Sequence, residues 1–465
     1  MNLSGEMNKP QTTFIDFVKK LLNKGHERSV KAKKNILASL LIKGGSIAIS
    51  LVLVPLTINY INPSRYGIWL TISSIVAWFS FFDIGLTQGL RNKFAEAKAK
   101  SEDDLAQIYV STTFAILSIV FISIWLLFIL INPILDWSKI INVSESYKTE
   151  ISILAIIVFT YFCLTFILRV ITTILTADQR PAMASLIDFL GQLFSLVLVG
   201  ILVLTSKGSL IKLGLALCAA PLVVLVFASI ILYQGDYRKY RPLLSKVKIS
   251  HSKGLFNLGL VFFVIQIAAV IQFQTANLII AQNFSTEDVT SYNIVYKYFG
   301  ILNMLFIIFL TPFWSASTEA YMKSDIDWIR NGIKSYGKIT ILLILIGLFM
   351  LIFSETAYNL WLGEGKVIIP FALSLWGFVF FSATIYGAKY VYFLNSINAL
   401  RIQFFASLLS PVLYIVVALG LIKFFTIGVH ALFIASLVAN FNAIILAPLQ
   451  YHQVIVKGKK GLWIK

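Results

Sequence analysis

Along its length the chain alternates long apolar runs with short polar interruptions, and the length of the runs is the dominant signal. A helix needs about 20 residues to cross a ~30 Å hydrocarbon core. Twelve runs reach that length: 36–60, 66–89, 106–131, 150–175, 183–205, 210–233, 254–281, 291–314, 336–356, 367–393, 402–425 and 428–453. The pattern predicts an all-α polytopic membrane protein of twelve transmembrane helices. An even number of crossings places both termini on one side.

Lysine and arginine assign the side. With the amino terminus inside, the inner segments carry about 27 of them and the outer ones about five: Arg65, Lys139, Lys148, Lys207 and Lys366. About seven more lie within or at the ends of apolar runs. The asymmetry predicts both termini in the cytoplasm.

The longest inner connection outside the tails, 234–253, carries Arg238, Lys239, Arg241, Lys246, Lys248 and Lys253 and divides the helices six and six. A short match repeats across it at an offset of 223 residues. Ala95-Glu96-Ala97 with Lys100-Ser101 corresponds to Thr318-Glu319-Ala320 with Lys323-Ser324, each after the second helix of its half. Six helices per repeat with unchanged orientation imply a parallel pseudo-repeat about the membrane normal, with a cavity between the lobes. The expected divisions are a basic cytoplasmic segment 1–35, an N-lobe 36–233, a linker 234–253, a C-lobe 254–455 and a basic cytoplasmic tail 456–465. Within the first segment Phe14, Phe17, Val18, Leu21 and Leu22 share a helical face opposite Lys19, Lys20 and Lys24. That spacing suits a helix on the inner membrane surface or an ordinary cytoplasmic tail helix. The segment lacks the continuous apolar core of a cleaved signal.

Composition narrows the function. The 465 residues are 58% hydrophobic and 13% charged, and the mean hydropathy is +0.84, outside the range of a water-soluble globule. The net charge of +18 would suggest nucleic acid in a soluble protein. Here the cations concentrate in the short inner connections, so no nucleic-acid partner is expected. Cys163 and Cys218 both lie in apolar runs, and His26, His251, His430 and His452 are scattered, so neither a disulfide framework nor a metal site is expected. Gly363-Glu364-Gly365-Lys366 lacks the length and context of a nucleotide-binding loop. No cofactor is expected, and the outer loops are too small for a catalytic domain. A transporter is predicted rather than an enzyme.

One stretch stands out. Arg65-Tyr66-Gly67 opens an uncharged run that ends at Phe82 and passes into Asp83-Ile84-Gly85-Leu86, followed by Arg91. An acid at a membrane boundary faces a partner or water. Asp83 is therefore either a gate position or the surface partner of Arg91 or Lys93. The combination resembles the polysaccharide-transport branch of the multidrug/oligosaccharidyl-lipid/polysaccharide exporter superfamily, the bacterial O-antigen flippases, from about residue 30 onward. The resemblance implies alternating access and a lipid-linked oligosaccharide substrate carried on undecaprenyl pyrophosphate. It further implies the bacterial inner membrane, an H+ or Na+ gradient, and polysaccharide polymerase and chain-length machinery as partners. It leaves as alternatives a multidrug or cation antiporter, a branch similar in carrying an acid in its first helix where this chain has Lys43, and a lipid II flippase. A polymerase is the alternative of a different class.

Charged residues inside apolar runs are mostly cationic, which suits an anionic cargo. The substrate-binding candidates are Lys43, Arg169, Lys297 and Lys389, although each lysine can instead snorkel to an interface. Arg169 would otherwise meet lipid. Asp83, Arg91 and Glu355 are candidates for gating or ion coupling. In the seventh run Gln266, Gln272, Gln274 and Asn277 are uncharged, and Gln266 and Asn277, eleven apart, share an azimuth. Gln266, Gln274 and Asn277 are candidates for the polar lining, with helix-to-helix bonding as the competing role.

Overall fold

The computed structural model describes residues 27–79, 86–178, 180–251 and 260–464. The first half contains α1 (Glu27–Ile61), α2 (Pro63–Ala77), α3 (Leu86–Ala99), α4 (Asp103–Ile131), α5 (Lys148–Leu168), α6 (Val170–Ala177), α7 (Pro181–Thr205) and α8 (Leu210–Gln234). The second contains α9 (Leu260–Asn283), α10 (Thr286–Met322), α11 (Ile326–Ile352), α12 (Ser354–Leu362), α13 (Phe371–Ser396), α14 (Arg401–Phe425) and α15 (Ala431–Ala439). Beyond α15 the chain continues through π-wound turns at Asn442–Leu446 and His452–Val456. Among the described residues there is no strand.

Among the described residues nine helical stretches are long and apolar enough to span a membrane, and α15 with its continuation, bent by 48°, makes a tenth. These correspond to ten of the twelve predicted runs; α2–α3 and α9 occupy the places of the second and seventh. Asp83 and the surface helix expected around Phe14 lie outside the described residues. Besides that bent span, two more of the predicted spans are interrupted. The run 150–175 breaks at Arg169, between α5 and α6, and the ninth run ends at Phe353, so that Glu355 opens a separate short helix.

The helices turn the polarity of a soluble protein inside out. On α4, Ile119, Leu126, Leu127 and Leu130 are exposed, whereas Gln107, Ser111, Thr112 and Thr113 are buried. Such a face is stable only against lipid, where interior polar groups hold helices together instead.

The repeat extends well beyond the short sequence match. α2 and α10 begin at Pro63 and Thr286, α3 and α10 end at Ala99 and Met322, and α4 and α11 begin at Asp103 and Ile326, each pair 223 apart. The turns are the same too. Ser101 and Ser324 both adopt positive φ, 61° and 57°. Glu102 N bonds Ala97 O as Asp325 N bonds Ala320 O, both at 2.9 Å.

One end of the bundle, bearing Arg65, Lys139 and Lys366, is poor in basic residues and is called here the sparse end. The other is the basic end. The halves are sealed to each other toward the sparse end, where α2 packs on α9 and α10. Ser64 Oγ and Thr286 Oγ1 lie 2.9 Å apart, and Thr290 Oγ1 donates to Pro63 O at 2.7 Å. Trp361 Nε1 donates to Leu51 O at 2.9 Å, and Lys366 Nζ to Asn59 Oδ1. A Cβ on Gly67 would overlap the carbonyl oxygen of Thr286, so this crossing admits only glycine.

At the basic end the connection after α8 folds back onto the first half. Asp178, largely buried, receives Lys98 Nζ and the hydroxyl of the buried Tyr237, the latter at 2.7 Å. Tyr240 donates to Asp103 at 2.5 Å, and burial followed by this carboxylate pushes its phenol up to about 12. Gln107 Nε2 donates to Arg241 O, and Ser111 Oγ accepts from Leu243 N. Replacing Asp178 by alanine strands a buried hydroxyl and an ammonium. Asp178→Ala should therefore lower unfolding stability by about 1–3 kcal/mol, read as a drop in the thermal midpoint of detergent-solubilised protein. Asp236→Ala, with a side chain 64% exposed, should leave it nearly unchanged.

Candidate functional site

α1, α2, α5, α7 and α8 surround a run of connected cavities inside the first half. The largest, ≈ 460 Å³, is walled by Trp69, Val76, Val158, Tyr161 and Phe162 and carries Ser73, Gln192 and Ser195 as polar groups. Toward the sparse end it meets a space of ≈ 250 Å³ bounded by Ser50, Thr57, Tyr66, Trp69, Gln192 and Lys297. Toward the basic end it meets one of ≈ 160 Å³ bounded by Tyr161, Arg169, Asp188, Gln192 and Pro221. Gln192 borders all three.

Glycines set the closest helix contacts around this space. Gly191 of α7 lies against Pro221 inside α8, and Gly214 of α8 lies against Leu154 and Trp69, so the helices approach at these points.

The structure separates the sequence candidates. Lys297, from α10, reaches across the seal into the cavity, with Nζ 3.5 Å from Tyr66 Oη. Arg169 lies at the other end, and its Nη2 meets Asp188 Oδ1 at 3.1 Å, so its partner is an acid nineteen residues on rather than lipid. Lys43 is exposed on α1, seven residues before cavity-lining Ser50 and hence on nearly the same helical face, about 10 Å nearer the basic end. Lys389 sits elsewhere. It is buried in α13 with Nζ 4.7 and 4.9 Å from the ring centroids of Tyr386 and Tyr390, a cation–π pair within the second half.

Glu355 is exposed in the first turn of α12, beside a separate space of ≈ 360 Å³ bounded by Tyr358, Asn359, Phe371 and Ser374. Arg91 is exposed on α3. Asn277 is committed to packing: its Nδ2 donates to Ser74 Oγ at 2.6 Å and its Oδ1 accepts from Asn293 at 2.7 Å, joining α9 to α2 and α10. Gln274 is half-buried, and the Gln266 side chain lies outside the described residues.

Sequence reasoning missed Gln192, Trp69, Ser73 and Ser195. The signal available was an isolated glutamine in the middle of an apolar run, four residues after Asp188 and so on the same face of α7.

Among the described residues the fold is a polytopic helical bundle whose first half holds an elongated, partly open space with Lys297 toward one end and the Arg169–Asp188 ion pair toward the other, the architecture of a membrane transporter. The family described as "Polysaccharide biosynthesis protein" matches residues 32–316, and the chain belongs to that family. It is 23% identical over 385 residues to the "Putative O-antigen transporter" of Salmonella typhi, covering 80% of this chain and 84% of that one. It is 21% identical over 451 residues to the protein of the same description in Salmonella typhimurium, covering 93% and 97%. The fold is shared with a solved structure described as the inward-facing conformation of a multidrug resistance MATE family transporter of the MOP superfamily. That match has a TM-score of 0.67, 16% identity, and coverage of 91% of this chain and 96% of that one. The predicted kinship with the exporter superfamily is borne out. The protein is a multi-pass membrane exporter and not an enzyme.

Proposed function

We propose that the protein is a flippase which moves an undecaprenyl-pyrophosphate-linked oligosaccharide, an O-antigen or related repeat unit, from the cytoplasmic to the periplasmic leaflet of the inner membrane. The basic end faces the cytoplasm and carries both termini. The lobes are residues 36–233 and 254–455, joined by the linker 234–253, and they rock against each other. The observation that carries this reading is the cavity: Lys297, beside a tyrosine hydroxyl and no carboxylate, stands at one end of an uncharged, aromatic and polar middle that runs to the Arg169–Asp188 ion pair. A pyrophosphate has a cation to meet at Lys297, and a glycan has hydroxyl partners and aromatic faces. A multidrug or cation antiporter is less well served, because the acid lining this space, Asp188, is already bonded to Arg169.

Energy comes from gradients. Moving negative charge out of a negative cytoplasm is favoured by about 2.3 kcal/mol per charge per 100 mV. A proton or sodium ion taken up at Asp83 or Glu355 supplies the return bias. The flipped unit passes to polysaccharide polymerase and chain-length machinery. The test is flipping of the lipid-linked oligosaccharide by purified protein in proteoliposomes under imposed gradients. Transport should follow membrane potential and a pH or sodium gradient without ATP. Transport that ignores every gradient and requires ATP would refute the scheme.

A further inference from the structure

The middle of the cavity holds three polar atoms that the protein does not answer. Gln192 Oε1, Ser195 Oγ and Ser73 Oγ are buried without a hydrogen-bond partner among the described residues. Ser195 is 2% exposed and lies one turn beyond Gln192 on α7, while Ser73 faces the same space from α2. Buried polar side chains are almost always satisfied, so three orphans around one space mark a place where something else bonds.

The surrounding chemistry says what. No charged side chain lines the largest cavity, so a cation would lack its acid and a phosphate its base. A polyprenyl tail would leave all three orphans unmet. Trp69, Tyr161 and Phe162 present aromatic surface, and the volume lies in the ~300–1,000 Å³ range of small-molecule sites, which combine apolar walls with a few orienting polar groups. A pyranose ring matches both features, with C–H faces to pack on aromatic rings and donors at its edge.

Building on the flippase reading, we propose that this middle section is a sugar-ring subsite. Gln192 Oε1 accepts from a ring hydroxyl or acetamido N–H, and the hydroxyls of Ser73 and Ser195 bond the ring edge. The pyrophosphate lies outside this section, toward a cation. Gln192 is then a specificity residue, which affects the glycan and leaves the lipid anchor alone.

Full-length protein in nanodiscs is titrated with three probes: undecaprenyl pyrophosphate bearing one N-acetylhexosamine, bare undecaprenyl pyrophosphate, and undecaprenol. Gln192→Leu and Ser195→Ala should each lower affinity for the glycosylated lipid about tenfold, equivalent to about 1.4 kcal/mol, with no matching loss for the bare pyrophosphate. Ser195→Ala removes an unmet hydroxyl, so its thermal midpoint should hold or rise, which separates binding from misfolding. Equal losses for both pyrophosphates, or no loss for either, would overturn the subsite while leaving the flippase standing. Wild-type protein that binds neither pyrophosphate better than undecaprenol would overturn both.

Discussion

Replacing Gly67 by leucine should abolish transport by preventing the sparse end from closing. Any Cβ at this position falls on the carbonyl oxygen of Thr286, a backbone atom that cannot rotate aside as a side chain would. The remedy is to separate α2 from α10, which breaks the Ser64–Thr286 and Thr290–Pro63 bonds and draws Tyr66 away from Lys297. Overpacking a tight site costs about 1–3 kcal/mol, and a clash with backbone belongs at or above the top of that range. At about 3 kcal/mol the sealed state loses more than a hundredfold in population. With the native Cys163 and Cys218 buried, Thr290→Cys should be protected when Gly67 is present and should react with a membrane-impermeant maleimide added from outside once Gly67→Leu is introduced. Gly44 provides the contrast, since nothing lies within 4 Å of a Cβ there and Gly44→Ala should behave as wild type. Unchanged labelling and transport in Gly67→Leu would show that the crossing is not a gate.

The second large effect is expected at Lys297. It is the described cation that joins the second half to the first-half cavity, and its neighbour is a tyrosine hydroxyl rather than a carboxylate. A charge-assisted hydrogen bond to phosphate contributes about 1.5–3 kcal/mol, so Lys297→Met should weaken binding of undecaprenyl pyrophosphate by about 10- to 150-fold. Lys297→Arg should retain most of it. Lys389→Met removes a buried cation over Tyr386 and Tyr390, away from the cavity. It is expected to affect stability more than affinity. Equal losses of affinity in Lys297→Met and Lys389→Met would undo the assignment of Lys297 to the site.

The spans were legible because lipid demands length and apolarity, local properties of the chain. The repeat was legible at one point only. Glu96 and Glu319 recur because they end equivalent helices, but the full correspondence of boundaries at 63 and 286, 99 and 322, and 103 and 326 needs hydrogen bonding to define where helices begin and stop. The basic interruptions at 238–248 marked a connection, yet nothing local indicated that Tyr237 and Tyr240 clasp Asp178 and Asp103 across the first half.

The site was only partly readable. Lys297 and Arg169 were flagged by charge, which is costly in a membrane wherever it falls. Whether such a charge meets lipid, an acid or a cavity depends on which helices adjoin it, as the Arg169–Asp188 pair shows. Gln192 carried no such flag, because an amide in an apolar run is usually bonded to a neighbouring helix. Asn277 has that role, whereas Gln192 leaves Oε1 unanswered. That difference is a property of five packed helices and of no single segment.

The most direct test of alternating access uses the seal itself. Ser64 and Thr286 face each other with side-chain oxygens 2.9 Å apart, and the native Cys163 and Cys218 are buried, so a Ser64→Cys/Thr286→Cys pair can be crosslinked selectively. In proteoliposomes charged with lipid-linked oligosaccharide, oxidation should stop flipping and a reductant should restore it, with both single variants unaffected by oxidant. Fully crosslinked protein that still flips its substrate at the reduced rate would contradict the account.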